Sequence, residues 1–127
     1  MERTIRIRAG PVEVTARLND TGTADAIWSA LPIRGSVNLW GEEIYFPVSL
    51  RLPLEDASEL VETGDLGYWP QGPAFCIFFG PTPASRSQEI RPASPVNLFG
   101  RVAGDTAPLR GVRQGDNVVV ERDSHSG

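Results

Sequence analysis

The stretch Ser36-Val37-Asn38-Leu39-Trp40-Gly41-Glu42-Glu43-Ile44-Tyr45-Phe46-Pro47-Val48 decides how this chain folds. Gly41-Glu42 separates two alternating runs, and a two-residue loop that begins with Gly fits a type II′ hairpin. Such a turn fixes the register: Trp40 opposite Glu43, Leu39 opposite Ile44, Asn38 opposite Tyr45 and Val37 opposite Phe46. Successive side chains of a strand point to opposite faces. Val37, Leu39, Ile44, Phe46, Val48 and Leu50 therefore form a core face, while Asn38, Trp40, Glu43 and Tyr45 share the reverse face. Pro47 lacks a backbone donor, which places it at an edge or an irregularity.

The same period of two extends outward in both directions. Upstream, Ile5 and Ile7 alternate with Arg6 and Arg8, Ala9-Gly10-Pro11 reads as a turn, and Val12, Val14, Ala16 and Leu18 resume the alternation. One short helix interrupts it. Asn19 to Thr23 form a capping cluster, Ala24, Ile27, Trp28 and Leu31 make a core-facing stripe, Asp25 suits the first turn, and Pro32 is the stop. Trp28 is expected to plug the core. Downstream, residues 54–61 read as a turn of helix or an irregular loop. Leu66 to Pro70 is a short strand, Gln71-Gly72-Pro73 a turn, and Ala74 to Phe79 a wholly apolar strand.

Residues 80–95 are rich in Pro, Ser and Gly; at about 16 residues this loop is long for a compact domain, and such loops are functional or mobile. From Val96 to Val102, alternation sets Val96, Leu98 and Val102 against Asn97, Phe99 and Arg101, with Gly100 a bulge or close-packing site. Val118 to Arg122 is the last strand. The pattern predicts seven or eight short strands with one or two short helices, a small barrel or sandwich, and closure would protect its apolar edges. Residues 1–122 are expected to form one domain and residues 123–127 a flexible tail.

Composition removes whole classes of chemistry. The chain has 127 residues, a net charge of −4, and 12 basic residues that are all Arg. Without Lys there is no Schiff base and no Walker-type phosphate lysine. The one His, His125, lies in the last five residues, where chain ends are poorly held, so Ser-His-Asp and Cys-His catalysis are disfavoured. One Cys and one tail His do not make a zinc site, and no calcium loop motif occurs. No metal and no cofactor are expected. Cys76 sits in Ala74-Phe75-Cys76-Ile77-Phe78-Phe79, a setting that makes a thiol inert. Scattered arginines on an acidic chain argue against a nucleic-acid partner. No apolar run reaches the length of a membrane helix and no signal-peptide pattern opens the sequence, so no membrane partner and a cytoplasmic location are expected.

The blocks Ala26-Ile27-Trp28-Ser29-Ala30-Leu31-Pro32-Ile33, Trp40-Gly41-Glu42-Glu43-Ile44-Tyr45-Phe46, Gly64-Asp65-Leu66-Gly67-Tyr68-Trp69-Pro70, the run from Ala74 to Pro83, and Pro92-Ala93-Ser94-Pro95-Val96-Asn97 belong together. In this order they resemble a family of small prokaryotic cyclophilin-like proteins. The resemblance runs in order over residues 3–122 and implies a mainly β fold, a closed eight-stranded cyclophilin-like barrel. Ordinary cyclophilins are peptidyl-prolyl isomerases, but their F-H-R-x-I-x-x-F-x-x-Q-G signature is absent. Tyr68-Trp69-Pro70-Gln71-Gly72 comes nearest and lacks the arginine. No catalytic residue carries over, and fold alone does not assign activity.

Two functions remain. The first is a binding module for a peptide or small molecule, in an aromatic groove built from Asn38, Trp40, Glu43 and Tyr45, with Tyr68 and Trp69 nearby and Asn97 and Phe99 as further candidates. Alternation leaves open whether those rings instead cover a second, minor core. The alternative is prolyl isomerisation, a bond rotation that needs no nucleophile. For it Arg101 is the candidate to polarise the amide; its other reading is a cross-strand ion pair. Hydrolysis by Glu42, Glu43 or Asp65 is weaker, because nothing in the sequence makes two of them converge.

Overall fold

A computed structural model describes residues 3–123. Ser124 to Gly127, which include His125 and most of the expected tail, lie outside the described residues. The opening alternation forms β1 (Arg3–Ala9) and β2 (Val12–Leu18). These strands pair from Arg3↔Leu18 to Ala9↔Val12 around Gly10, whose φ of +56° is a conformation that glycine adopts without steric cost. Helix α1 spans Gly22–Ala30. Thr21 caps it through its side chain, and the Glu55 carboxylate accepts from the backbone N–H groups of Gly22 and Thr23 at 2.9 and 2.8 Å. Those first N–H groups have no partner inside a helix.

The remaining strands are β3 (Ile33–Ser36), β4 (Asn38–Leu39), β5 (Glu43–Pro47), β6 (Asp65–Trp69), β7 (Ala74–Phe78), β8 (Asn97–Ala103) and β9 (Asn117–Arg122). A 3-10 turn at Ala107–Gly111 precedes the last. All pairings are antiparallel, in the order β3-β9-β1-β2-β8-β6-β7-β5-β4. Among the described residues the count is nine strands, not eight. The extra strand arises because Ile33–Leu39 is divided at Val37: β3 pairs with β9 and β4 pairs with β5. Since the two outermost strands are consecutive in the chain, the sheet curls into a nearly closed barrel. At this seam a Cβ on Gly35 would lie 3.2 Å from the Phe46 ring, so the small residue permits the close approach.

Two apolar clusters follow from the pleat. The barrel interior holds Ile5, Ile7, Ile27, Val37, Ile44 and Phe46 together with Leu66, Tyr68, Phe75, Ile77, Phe99 and Val120. Phe75 stacks on Phe46 at 4.9 Å and meets Phe99 edge-on at 5.0 Å between ring centroids. Outside the barrel wall, Val61, Ala74, Cys76, Phe78, Ile90 and Val96 form a second cluster, with Tyr45, Trp69 and Leu98 packed on it. Strand β7 is thus buried on both faces, which explains its unbroken apolar sequence. Residues 54–63 contain no helix; they are pinned by bridges from Ser58 to Val96 and from Val61 to Ile90. Trp28 is a half-buried cover rather than a plug, its ring lying 4.4 Å from the Arg122 guanidinium. Among the described residues no helix is long and apolar enough to cross a membrane.

Candidate functional site

The hairpin that fixed the fold also builds the site. Asn38 faces Tyr45 and Leu39 faces Ile44, as the turn requires. Trp40 and Glu43 exchange backbone hydrogen bonds of 3.0 and 3.2 Å, and Gly41 has φ +61°. A Cβ on Gly41 would also fall 2.9 Å from the carbonyl oxygen of Pro81, so the hairpin tip sits directly on the long loop. The Glu42 N–H donates to Pro81 at 2.9 Å, and its carboxylate accepts from Arg110 at 3.0 Å.

Behind this tip the outer face of the hairpin opens into a cavity of about 260 Å³. Trp40, Glu43 and Tyr45 of the hairpin line it together with Trp69 at the end of β6. Cys76, the cross-strand neighbour of Tyr45, lines it from β7. Pro92, Ala93 and Val96 supply the opposite wall. That wall is held in place rather than loose. The Trp69 indole N–H donates to the Ser94 hydroxyl at 2.5 Å, and Val96 exchanges backbone hydrogen bonds with Ser58. The base of the loop is tied by Ser85, whose hydroxyl accepts from the N–H groups of Thr82 and Arg91 at 2.9 and 3.1 Å. The Thr82 hydroxyl bonds the Arg91 carbonyl.

Glu43 is the chemically unusual member. It is only 6% exposed, and its Oε1 atom is buried with no hydrogen-bond partner among the described residues. Burial disfavours the ionised form and pushes the carboxyl up to about 7, while a hydrogen bond from the Cys76 thiol acts in the other direction. The same burial, followed by the nearby Glu43 charge, drives the Cys76 thiol well above its ordinary value, so it is no nucleophile. Buried polar atoms are almost always hydrogen-bonded, so an unpartnered carboxyl oxygen is an exception.

Four of the nominated residues therefore converge: Trp40, Glu43, Tyr45 and Trp69. The other five stand elsewhere. The Asn38 side-chain carbonyl accepts from Gln114 at 3.1 Å, away from the cavity walls. Tyr68 precedes Trp69 in the same strand and so points the opposite way, into the barrel. It is 1% exposed, and its hydroxyl donates to the Leu50 carbonyl at 2.7 Å and accepts from the Leu52 N–H at 3.0 Å. Asn97 is a structural staple: its amide donates to Pro53 at 2.8 Å and to Thr23 at 3.1 Å, and its oxygen accepts from the Glu55 N–H at 2.9 Å.

Phe99 and Arg101 do not share a face. Leu66 pairs with Gly100 but Gly67 pairs with Leu98, so Phe99 is the extra residue of a bulge. The bulge reverses the alternation beyond it, turning Phe99 and Val102 into the core and Arg101 outward. Gly100 is required there, because a Cβ would come within 2.6 Å of the Arg17 carbonyl. Arg101 lies opposite Asp65 in the β6–β8 ladder, and its guanidinium reaches Asp65 at 2.9 Å and Glu62 at 2.6 Å. It is a cross-strand ion pair on the barrel wall, outside the aromatic cavity.

The contribution of Cys76 was legible in principle, since it alternates with Phe75 and Ile77. The loop residues Pro92, Ala93 and Val96 carry no such signal. Among the described residues no group of three or more His, Cys, Asp or Glu is placed to hold a metal.

A model of the cyclophilin-like family matches residues 3–121. The solution structure of a hypothetical protein from Archaeoglobus fulgidus shares 43% sequence identity and superposes with a TM-score of 0.82, covering 96% of this chain and 95% of that one. No curated protein matches the chain.

Proposed function

We propose that this chain, which belongs to the cyclophilin-like family, is a binding module that takes a small ligand, or a single side chain of a peptide, in the cavity beside Glu43. The observation that carries this reading is the buried Glu43 carboxyl, one oxygen of which has no partner among the described residues, on the wall of a hollow that Glu43 lines with Trp40, Tyr45 and Trp69. A carboxyl left unsatisfied costs stability, and a donor from a ligand would satisfy it. The volume of about 260 Å³ suits one small group better than an extended peptide, since pockets for drug-sized ligands run from about 300 Å³ upward.

The test is tryptophan emission during titration with a panel of small neutral, cationic and anionic compounds. At least one is expected to shift the emission of the wild type and to lose that effect in Trp40→Phe/Trp69→Phe. A double variant that keeps the full response would remove the assignment to this cavity.

Prolyl isomerisation draws less support, because the Arg101 guanidinium already engages two carboxylates. An assay on a prolyl tetrapeptide decides it. Acceleration by wild type that Arg101→Ala abolishes would revive the isomerase reading.

A further inference from the structure

We infer that the cavity is built for an organic ammonium, the head of a small amine or of a lysine side chain, held against the Glu43 carboxylate within the aromatic walls. The inference rests on the binding role proposed above and adds the chemical class of the ligand.

Three observations converge on a cation. First, Trp40, Tyr45 and Trp69 contribute three aromatic rings to one hollow, and the faces of such rings carry negative electrostatic potential that attracts ammonium groups. Second, Glu43 lines that hollow and its buried carboxyl has one oxygen with no partner among the described residues, and a charge-assisted hydrogen bond from an N⁺–H donor is the strongest partner a carboxylate can take. Third, among the described residues no Arg lines the cavity, whereas Asp65 has an Arg against it and Glu55 two backbone N–H donors. A ligand cation would take the place that an arginine occupies beside Asp65. A neutral apolar ligand would leave Oε1 unsatisfied, and an anion would meet the carboxylate directly.

The surroundings set the pH behaviour. The titratable groups facing Glu43 are Tyr45 on its own strand and the Cys76 thiol on β7, while the loop wall offers Pro92, Ala93 and Val96, none of which titrates. Burial holds the carboxyl near 7, so an arriving cation must find it ionised or displace its proton. Cation affinity should therefore rise with pH across neutrality.

The experiment compares tert-butylammonium with tert-butanol, which has nearly the same shape and no charge, by calorimetry and by emission of Trp40 and Trp69. tert-Butylammonium is expected to bind about tenfold or more tightly than tert-butanol, a difference of about 1.4 kcal/mol. Its affinity should rise about tenfold from about pH 6 to about pH 8 while that of tert-butanol stays flat. Glu43→Gln should remove both the preference and the pH dependence. The wild-type pH series needs no variant and keeps the test intact if Glu43→Gln does not fold. An acetylated tripeptide with a central lysine that binds more tightly than the free amine assigns the ammonium to a protein side chain; the reverse order assigns it to a free amine. Equal affinity for the amine and the alcohol, or a flat pH series for the amine, overturns the inference and leaves the binding role standing. Failure of both probes, with no compound of the wider panel acting through Trp40 or Trp69, removes the binding role as well.

Discussion

Asp65 and Glu43 are almost equally buried, 5% and 6% exposed, and they stand at the ends of neighbouring parts of one sheet. Asp65 is surrounded by partners: the Arg101 guanidinium at 2.9 Å and the Glu62 N–H at 2.8 Å. Glu43 has an oxygen with none. The same functional group is structural in one place and available in the other. The difference lies in what faces it across the strands: an arginine for Asp65, rings and a thiol for Glu43. Folding therefore gains from the first carboxylate and loses from the second.

The largest expected effect is on Asp65. Asp65→Ala should lower the unfolding free energy by about 3 kcal/mol, because it removes a buried ion-pair member and the acceptor of a loop N–H together. Urea denaturation measures this, and a change below about 1 kcal/mol would break the contrast.

Glu43→Gln should act with the opposite sign. The folded carboxyl titrates near 7, above its ordinary value, so the folded state binds the proton more tightly than the unfolded chain. The stability contribution of this group is then greatest below about pH 4 and is lost as pH rises to about 7. At about pH 8 the variant should be more stable than wild type by on the order of 2 kcal/mol, a gain that vanishes at about pH 4. Thermal melts of both proteins across this range check the sign; destabilisation at pH 8 would mean that Glu43 is satisfied in solution.

Two smaller effects sharpen the comparison further. Trp69→Phe keeps a ring in the cavity but loses the hydrogen bond to Ser94, so it should cost about 1 kcal/mol and loosen the loop wall, seen as faster amide exchange of Val96. Glu62→Ala removes only the exposed arm of the Arg101 network, with Glu62 78% exposed. It should change stability by less than about 1 kcal/mol, which denaturation would register as little or no shift in midpoint.

Much of this architecture was readable from particular residues. Gly41-Glu42 set the hairpin register, and alternation around it separated Ile44 and Phe46 from Glu43 and Tyr45 as the structure has them. The open question of whether the aromatic face is a site or a second core has a mixed answer. Tyr45 and Trp69 pack on a minor cluster and also line a cavity above it. Four readings were out of reach. The division of Ile33–Leu39 into two strands depends on which neighbours each half meets. The Phe99 bulge depends on a one-residue offset between β6 and β8. The Asn97 network joins residues separated by 42 to 74 positions. The loop wall of the cavity has no periodicity to read.

The sequence by itself determined the local order of turns, the faces of most strands, and the poverty of nucleophiles, because these depend on steric preference, pleat and composition. Tertiary structure alone decided which polar groups found partners. Arg101 met Asp65, Asn97 met three groups, and Glu43 was left with a buried oxygen that has no partner among the described residues. Partnership is a property of distance between strands far apart in the chain, and alternation along one strand carries no information about what stands across from it.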